Sequence, residues 1–275
     1  MVLVVLAPPD DKIRNLMNFS EEQLHRYARN IILPEVGGEG QKKLLNSKVL
    51  VVGAGGLGAP VLLYLAAAGV GTIGIIDDDL VELSNLQRQI IHGSSRIDMA
   101  KVESSALAIN ELNPDVCVIQ HPMRLRKENI KAILNDYEII ADGSDNFGTR
   151  FLLADAAHLF GRTLVSAAIS RFEGQISTFK SHKGSGFPCY RCLYNEAPPE
   201  EMVPNCVDGG VLGALAGVLG SVQAIEIIKE VLGFGETLAG KLLLYDALES
   251  TFRKVKLNRD PDCKLCGLNA SIVDI

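Results

Sequence analysis

Two Cys-x-x-Cys pairs, Cys189/Cys192 and Cys263/Cys266, constrain this chain of 275 residues more than any other feature. Each pair has the spacing of half a tetrahedral zinc site, and together they offer four thiolates. A metal site shared by both pairs ties the C-terminal part of the chain back onto its body. Four cysteines leave no open coordination position, so the pattern predicts a structural Zn²⁺ rather than a catalytic one.

The alternatives are two disulfides or unrelated thiols, and the surrounding sequence disfavours both. The apolar run at residues 1–6 lacks a positive region and is too short for a signal peptide or a membrane span. We therefore expect a cytoplasmic protein with no membrane partner, in a reducing compartment where disulfides are rare. A net charge of −6, with no long basic run, disfavours nucleic acid as a partner.

Strands and helices alternate along most of the chain. Short apolar or β-branched runs at 48–52, 72–76, 115–119, 137–141 and 163–166 predict strands, and 59–68, 100–112 and 150–160 predict helices. This alternation predicts an α/β fold with a Rossmann-like, mostly parallel sheet and helices on both faces.

The two ends of the chain have other patterns. Ser20 is a predicted N-cap for a helix over 20–30, which Pro34 and Gly37-Gly38 are expected to end. Segments 169–179 and 241–257 predict a more antiparallel extension of the sheet, around a polar loop at 194–208 and a long helix at 211–232. No linker divides the chain, so we predict an N-terminal extension over 1–17 and one domain over 18–275 that includes the zinc site.

A glycine-rich turn follows the strand at 48–52. Gly53-Ala54-Gly55-Gly56-Leu57-Gly58 is a G-x-G-x-x-G motif with a strand before it and a helix after it. Glycines let the backbone approach a ligand closely, and the helix N-terminus offers N–H groups to a phosphate. Asp77 ends the next strand, where an acid accepts hydrogen bonds from ribose hydroxyls. The motif predicts a nucleotide site without separating NAD from ATP.

Charged residues beyond this turn favour ATP. Arg88 and Lys101 supply cations that a triphosphate needs and that a dinucleotide does not, although surface solvation is the alternative for both. Asp145 closes a later strand and is predicted to hold Mg²⁺ beside the phosphates. The alternative is that Ser144 or Asp145 caps the following helix.

Together these motifs, in this order, resemble the ThiF/MoeB/HesA adenylyltransferases, small prokaryotic relatives of ubiquitin-activating enzymes. The resemblance covers residues 18–267. It implies an enzyme that uses MgATP to adenylate the C-terminal Gly-Gly tail of a ubiquitin-like sulfur-carrier protein, releasing pyrophosphate. The residues that it implies for nucleotide binding are Gly53, Gly55, Gly56, Gly58, Asp77, Asp79, Ser84, Asn85, Leu86, Arg88, Gln89, Lys101, Asp145 and Asn146.

The resemblance also implies partners. Arg29 matches an arginine that family members insert into the site of the other subunit, which implies a homodimer. Cys206 matches a cysteine that some members use for a thioester or acyl-disulfide link to the carrier, and an idle thiol is the alternative. Because the chain stops soon after Cys266, we expect a separate sulfur donor. Thiamine, molybdenum cofactor and tRNA thiolation pathways all remain open.

Other functions explain fewer of these residues. An NAD-dependent oxidoreductase accounts for the glycine turn and Asp77 but leaves Arg88, Lys101 and Asp145 without a role. A zinc-stabilised scaffold without chemistry, or an enzyme that cyclises a peptide or a tRNA base by adenylation, are further alternatives; the acidic charge disfavours tRNA. Cys117 is predicted to lie in the core, and His25 and His92 are predicted to be structural.

Overall fold

One sheet runs through the part of the chain that the structure, a computed structural model, describes, residues 19–198 and 210–275. Its strands are β1 Lys48–Val52, β2 Thr72–Ile76, β3 Cys117–His121, β4 Ile139–Asp142, β5 Thr163–Ser170, β6 Glu173–Phe179, β7 Lys241–Asp246 and β8 Thr251–Lys256. They are ordered β3-β2-β1-β4-β5-β6-β7-β8. The first five strands in this order, β3-β2-β1-β4-β5, pair in parallel. Strands β6, β7 and β8 continue the sheet beyond β5 in antiparallel pairing.

Helices cover both faces of this sheet. They are α1 Glu21–Arg26, α2 Ala28–Ile31, α3 Gly37–Asn46, α4 Gly58–Ala68, α5 Lys101–Leu112, α6 Lys127–Leu134, α7 Phe147–Leu159, α8 Tyr190–Leu193 and α9 Gly213–Leu232. Apolar residues of α4, α5 and α9 form one core cluster against the sheet, and those of α6 and α7 form another. The predicted mostly parallel α/β fold is therefore confirmed, and β1 is buried from Val49 onward because helices cover it on both sides.

The order of the strands positions a crevice. β2 and β3 lie on one side of β1, and β4 and β5 lie on the other, so the direction of winding reverses between β1 and β4. Ligands of open α/β sheets bind beyond the carboxyl ends of the strands at such a reversal. The turn after β1 and the loop after β4 both open there.

The predicted helix over 20–30 is wrong in its interior, although its last turn ends at Ile31, close to the predicted end. Ser20 caps α1 as expected, with a capping box to Gln23, but the helix breaks at Tyr27. Tyr27 is buried, and its hydroxyl accepts a hydrogen bond of 2.9 Å from Asn113, so tertiary packing overrides the local pattern. Gly37 begins a helix instead of closing one, because Gln41 donates to the Ala68 carbonyl oxygen at 2.8 Å and anchors α3.

Two smaller predictions are also corrected, and one helix was missed. Cys117 is exposed, because β3 starts at that residue and is the outermost strand of the sheet. The strand predicted over 169–179 is a hairpin that turns at Arg171, whose φ is +52°. Helix α6 was not predicted, although its buried Ile130, Ile133 and Leu134 recur at helical spacing.

Two predicted segments fall outside the described residues. The extension at 1–17 does so entirely, and the polar loop at 194–208 does so from residue 199 onward. Among the helices that the structure describes, none combines the length and the apolar character that crossing a bilayer requires.

Candidate functional site

A cavity of about 290 Å³ lies at the carboxyl ends of β1, β2 and β4. It is the crevice that the strand order positions. Predicted nucleotide-binding residues that line it are Gly53, Gly55, Gly56, Asp77, Asp79, Arg88, Gln89, Lys101, Asp145 and Asn146. Sequence reasoning thus located ten of the 22 lining residues, from motifs that lie almost 100 residues apart.

The glycine-rich turn has steric reasons for two of its glycines. Gly53 has φ +90°, and a Cβ there would lie 2.9 Å from the Gly143 carbonyl oxygen. A Cβ on Gly58 would lie 1.9 Å from the Gly53 carbonyl oxygen. A side chain at Gly53 would push the turn away from the loop after β4, and one at Gly58 would force the turn itself to change shape. The turn and that loop therefore meet closely at the base of the cavity.

The peptide groups of Ala54 are held from two sides. The Ala54 N–H donates to Asp77 Oδ2 at 2.8 Å, and the Ala54 carbonyl oxygen lies 3.0 Å from His92 Nε2. His92 Nδ1 lies 2.8 Å from the Ser104 hydroxyl, so both ring nitrogens have partners. Burial lowers the pKa of His92 to about 4, which keeps the ring neutral and lets Nε2–H donate to the carbonyl. His92 is structural, as predicted, and it supports the turn directly.

Asp77 serves the turn as well as the cavity. Oδ1 accepts a hydrogen bond of 2.9 Å from the Asp79 N–H, while Oδ2 accepts the one from Ala54. Burial raises the pKa of the Asp77 carboxyl, and the charge of Lys101 acts in the opposite direction. Each carboxylate oxygen retains a second lone pair, so ribose hydroxyls find acceptors here.

Two cations face the same cavity. Lys101 is buried, and its Nζ lies 2.7 Å from Asp79 Oδ2 in an ion pair. Arg88 donates to the Ser84 carbonyl oxygen at 3.2 Å, and its aliphatic stem lies beside Gly56. The surface alternative is wrong for the buried Lys101, whereas Arg88 is half-buried at the cavity wall. This pairing of a fixed cation with a guanidinium fork suits a polyanion at the helix N-terminus.

The loop after β4 is held by buried polar groups. Asp142 is fully buried, and its carboxylate accepts hydrogen bonds from the Ser144 N–H, the Ser144 hydroxyl and the Ser166 hydroxyl at 2.6–3.0 Å. Asn146 caps α7 by accepting from the Thr149 N–H at 2.8 Å. The proposed caps, Ser144 and Asp145, are therefore wrong. Asp145 is exposed at the cavity wall.

Some predicted residues do not line the cavity. Gly58, Ser84, Asn85 and Leu86 lie outside it, and Asn85 instead uses Oδ1 to accept the Glu82 N–H at 3.1 Å. Arg29 is exposed on α2, away from the cavity of its own chain. Cys206 lies outside the described residues.

Sequence reasoning missed two arginines of the wall, Arg124 and Arg150. Arg124 follows β3 at the carboxyl edge of the sheet, and its position after a parallel strand was the available signal. Arg150 follows the capping residue Asn146 by one helical turn, within the helix that the sequence did predict. No sequence pattern indicates that Arg150 is buried beneath the loop after β4.

The four predicted metal ligands meet in a second place, here termed the cysteine cluster: Cys189, Cys192, Cys263 and Cys266. Their sulfurs all lie within 4.8 Å of one another. The Sγ atoms of Cys189 and Cys192 are 3.8 Å apart, those of Cys189 and Cys263 are 3.4 Å apart, and those of Cys192 and Cys266 are 3.5 Å apart. Four sulfurs about 2.3 Å from one zinc ion would stand ~3.8 Å apart, so the donor set and its size fit Zn²⁺.

Charge also favours a cation in the cysteine cluster. Hydrogen bonding to the Cys192 and Cys266 thiols, together with burial, raises the pKa of Cys189. Four thiolates this close together, three of them buried, therefore need a bound cation to coexist. Because all four positions are protein sulfurs, such a metal would be structural.

Fold and cavity define an α/β nucleotide-binding protein of the Rossmann type. Residues 27–265 match the model of the ThiF family, and the chain belongs to that family. ATP binding is supported by that membership.

Relatives of known class agree with the family membership. The sulfur carrier protein adenylyltransferase of Thermus thermophilus is 48% identical, over 91% of this chain and 93% of that one. The SAMP-activating enzyme E1 of Haloferax volcanii is 48% identical, over 91% and 92%. The adenylyltransferase and sulfurtransferase MOCS3 of Bos taurus is 48% identical, but the chain spans 56% of its length.

Among solved structures, MccB of E. coli has the same fold, with a TM-score of 0.78 at 19% identity over 96% of this chain and 82% of that one. The predictions of the family, the fold and the adenylyltransferase class are thereby confirmed. None of these relatives supports the NAD-dependent oxidoreductase.

Proposed function

We propose that this chain uses MgATP to adenylate the C-terminal glycine carboxylate of a ubiquitin-like sulfur-carrier protein. The observation that carries the proposal is the cavity wall, where a glycine-rich helix N-terminus and two fixed cations, Arg88 and Lys101, face one space. The names of the relatives supply the substrate class, because two of them denote the activation of a sulfur carrier or of SAMP.

The chemistry explains why cations line the cavity. A carboxylate is a poor electrophile because its charge is delocalised over both oxygens. In adenylation a carboxylate oxygen bonds to the α-phosphorus, the bond from that phosphorus to the bridging oxygen breaks, and pyrophosphate leaves with the electron pair. Two anions must approach each other, so the work of the protein is positioning and electrostatic stabilisation.

Each residue has a proposed task in this step. Asp77 holds the ribose, and the N–H groups at the start of α4 face the phosphates. Arg88, with the adjacent Gln89, and Lys101 contact the triphosphate and stabilise the charge that develops at the α-phosphate. Gly55 and Gly56 let the nucleotide approach the backbone.

We place Mg²⁺ at Asp145, although the carboxylates of Asp77, Asp78 and Asp79 also lie together at the cavity wall and could hold a metal ion. The exposed Asp145 carboxylate at the cavity wall, with Asn146 next to it, offers the oxygen ligands that Mg²⁺ takes alongside phosphate. When bound, the ion would neutralise part of the phosphate charge. Asp145 would hold it, and Asp79 remains engaged with Lys101.

The remaining parts of the proposal concern partners. Arg29 is exposed on α2, as a residue that reaches the site of a second subunit must be, and we place it in the partner's site of a homodimer. The carrier would end in Gly-Gly, and a separate donor would supply the sulfur. Thiamine, molybdenum cofactor and tRNA thiolation pathways in the cytoplasm are all compatible with this chemistry.

Carrier-dependent exchange of pyrophosphate into ATP tests the proposal. We expect exchange with a carrier that ends in Gly-Gly and none with the same carrier lacking its last glycine. Asp145→Asn should reduce exchange at least a hundredfold, since the cation loses its protein anchor. Cys206→Ala should retain exchange, because adenylation needs no side-chain nucleophile. Exchange that survives Asp145→Asn, or that ignores the carrier, would contradict the proposal.

A further inference from the structure

One buried arginine of the cavity wall has no assigned task. Arg150 lies on the first turns of α7 and is 9% exposed. Its guanidinium forms no ion pair with any carboxylate among the residues that the structure describes. Burying a cation without an acidic partner costs free energy, so this burial indicates a role for Arg150 at that position.

Arg150 points two donors at one carbonyl oxygen. Its Nε and Nη2 donate to the Ser144 carbonyl oxygen at 3.3 and 2.8 Å. That carbonyl belongs to the peptide bond between Ser144 and Asp145. The bond therefore cannot rotate without losing both hydrogen bonds, and its orientation sets the direction in which Asp145 leaves the loop.

The other polar atoms of Ser144 are fixed as well. Its N–H and its hydroxyl both donate to Asp142 Oδ1, at 3.0 and 2.6 Å. On the other side, Asn146 is fixed as the cap of α7. Asp145 thus stands between two immobilised neighbours. Its own carboxylate has one weak contact, 3.4 Å from Asn146 Nδ2.

Arg150 is itself held in place. Its guanidinium lies 5.5 Å from the centre of the Phe147 ring, a cation–π contact. On another side it faces Tyr190, where burial raises the pKa of the phenol and the charge of Arg150 opposes that rise. Tyr190 adjoins Cys189 of the cysteine cluster. The guanidinium is therefore clamped between α7 and α8.

We infer that Arg150 is a positioning residue, which orients the Asp145 carboxylate toward its cation by fixing the peptide bond before it. This inference rests on the proposed function, because it assigns Asp145 to Mg²⁺. Groups that orient metal ligands typically change metal affinity by about 10- to 100-fold when they are removed.

Arg150→Lys tests the role, because lysine keeps the charge and loses the planar fork. We expect the Mg²⁺ concentration that gives half-maximal carrier-dependent exchange to rise about tenfold or more. Calorimetry should show weaker binding of a non-hydrolysable ATP analogue with Mg²⁺ and unchanged binding of that analogue in EDTA. Arg162→Lys is the matched control, since Arg162 also donates to a backbone carbonyl, that of Asn135 at 3.1 Å, but lies outside the cavity.

A double-variant cycle with Asp145→Asn separates positioning from direct contact. If Arg150 acts through Asp145, adding Arg150→Lys to Asp145→Asn should weaken binding of the Mg²⁺ complex no further. Additive losses, or an equal loss of binding in EDTA, would show that Arg150 contacts the phosphates itself and would overturn the inference. Arg150→Gln, which is neutral and keeps one amide donor, gives the same comparison should the lysine variant not fold.

The outcomes also separate this inference from the proposed function. Absence of exchange in the unaltered chain would overturn the proposed function. Normal exchange in the unaltered chain, with an unchanged Mg²⁺ dependence in Arg150→Lys, would overturn only the positioning role.

Discussion

At the scale of single residues, the peptide groups of Ala54 show how buried polar side chains support a turn made mostly of glycine. Asp77 accepts the N–H of Ala54, and His92 donates to its carbonyl oxygen. Lys101 and Arg96 are the cations whose charges add to burial in lowering the pKa of His92. His92 therefore stays neutral, and in this form it donates to the Ala54 carbonyl oxygen and stabilises the turn.

The neutral form of His92 predicts a pH dependence of stability. The pKa of His92 is lowered to about 4 from 6.5, so the unfolded chain binds the proton more tightly. The stability that neutral His92 contributes is complete above pH 6.5 and is lost as the pH falls toward 4. His92→Gln should therefore destabilise the protein more at pH 7.5 than at pH 5, by about 1 kcal/mol or more, as measured by denaturant unfolding.

Comparing the unaltered protein with the His92→Gln variant isolates the contribution of His92. His182, whose pKa burial also lowers to about 4, and Asp77, whose pKa burial raises, are present in both. His25→Gln, which removes an exposed histidine of α1, is the matched control. If His92→Gln destabilises the protein equally at both pH values, the claim that neutral His92 stabilises the turn is contradicted.

At the scale of elements, the cysteine cluster joins two distant parts of the chain. Cys189 is the N-cap of α8 and Cys192 lies within that helix, while Cys263 and Cys266 follow β8 at the end of the sheet. Around the sulfurs the apolar packing is small and centres on Leu265, so a bound metal would supply much of the local stability.

Removal of one ligand tests this element. Cys263→Ser should lower bound zinc from one equivalent per chain to nearly none, and it should lower the midpoint of thermal unfolding by several degrees. Elemental analysis and calorimetry measure the two effects. Cys117→Ser, at an exposed position on β3, should keep both the metal and the midpoint. Equal zinc in the Cys263→Ser protein would refute a site of four thiolates.

Sequence predicted the elements that carry a strong local pattern. A few consecutive residues suffice to predict the structure of the apolar runs of β1 and β2, of the glycine turn and of the paired cysteines. It failed where tertiary contacts decide, at the break at Tyr27, the start of α3 at Gly37 and the edge position of Cys117. Arg150 was not predicted as a site residue, because its hydrogen-bond partner is a backbone carbonyl oxygen, which no side-chain motif indicates.

At the scale of the whole molecule, the position of Arg29 bears on assembly. Arg29 is exposed on α2 and lies outside the cavity of its own chain, whereas Asp145 lines that cavity. In the proposed homodimer each site would combine Asp145 of one subunit with an arginine of the other. The two residues can therefore be impaired in different subunits.

Mixing two inactive variants tests this arrangement. Arg29→Ala and Asp145→Asn should each abolish exchange alone. When the two proteins are mixed in equal amounts and allowed to exchange subunits, about half of the dimers contain one intact site of two, so about a quarter of the activity should return. Size-exclusion chromatography of the mixture confirms that dimers persist. No recovery in mixed dimers would place Arg29 outside the shared site.

The central claim is that cations at the carboxyl ends of the strands hold a triphosphate beside the glycine-rich turn. A crystal structure of the chain with Mg²⁺ and a non-hydrolysable ATP analogue tests it most directly. We predict phosphate oxygens within hydrogen-bond distance of Arg88 and Lys101, with the ribose on Asp77. A bound triphosphate with both cations turned away from it would contradict the account.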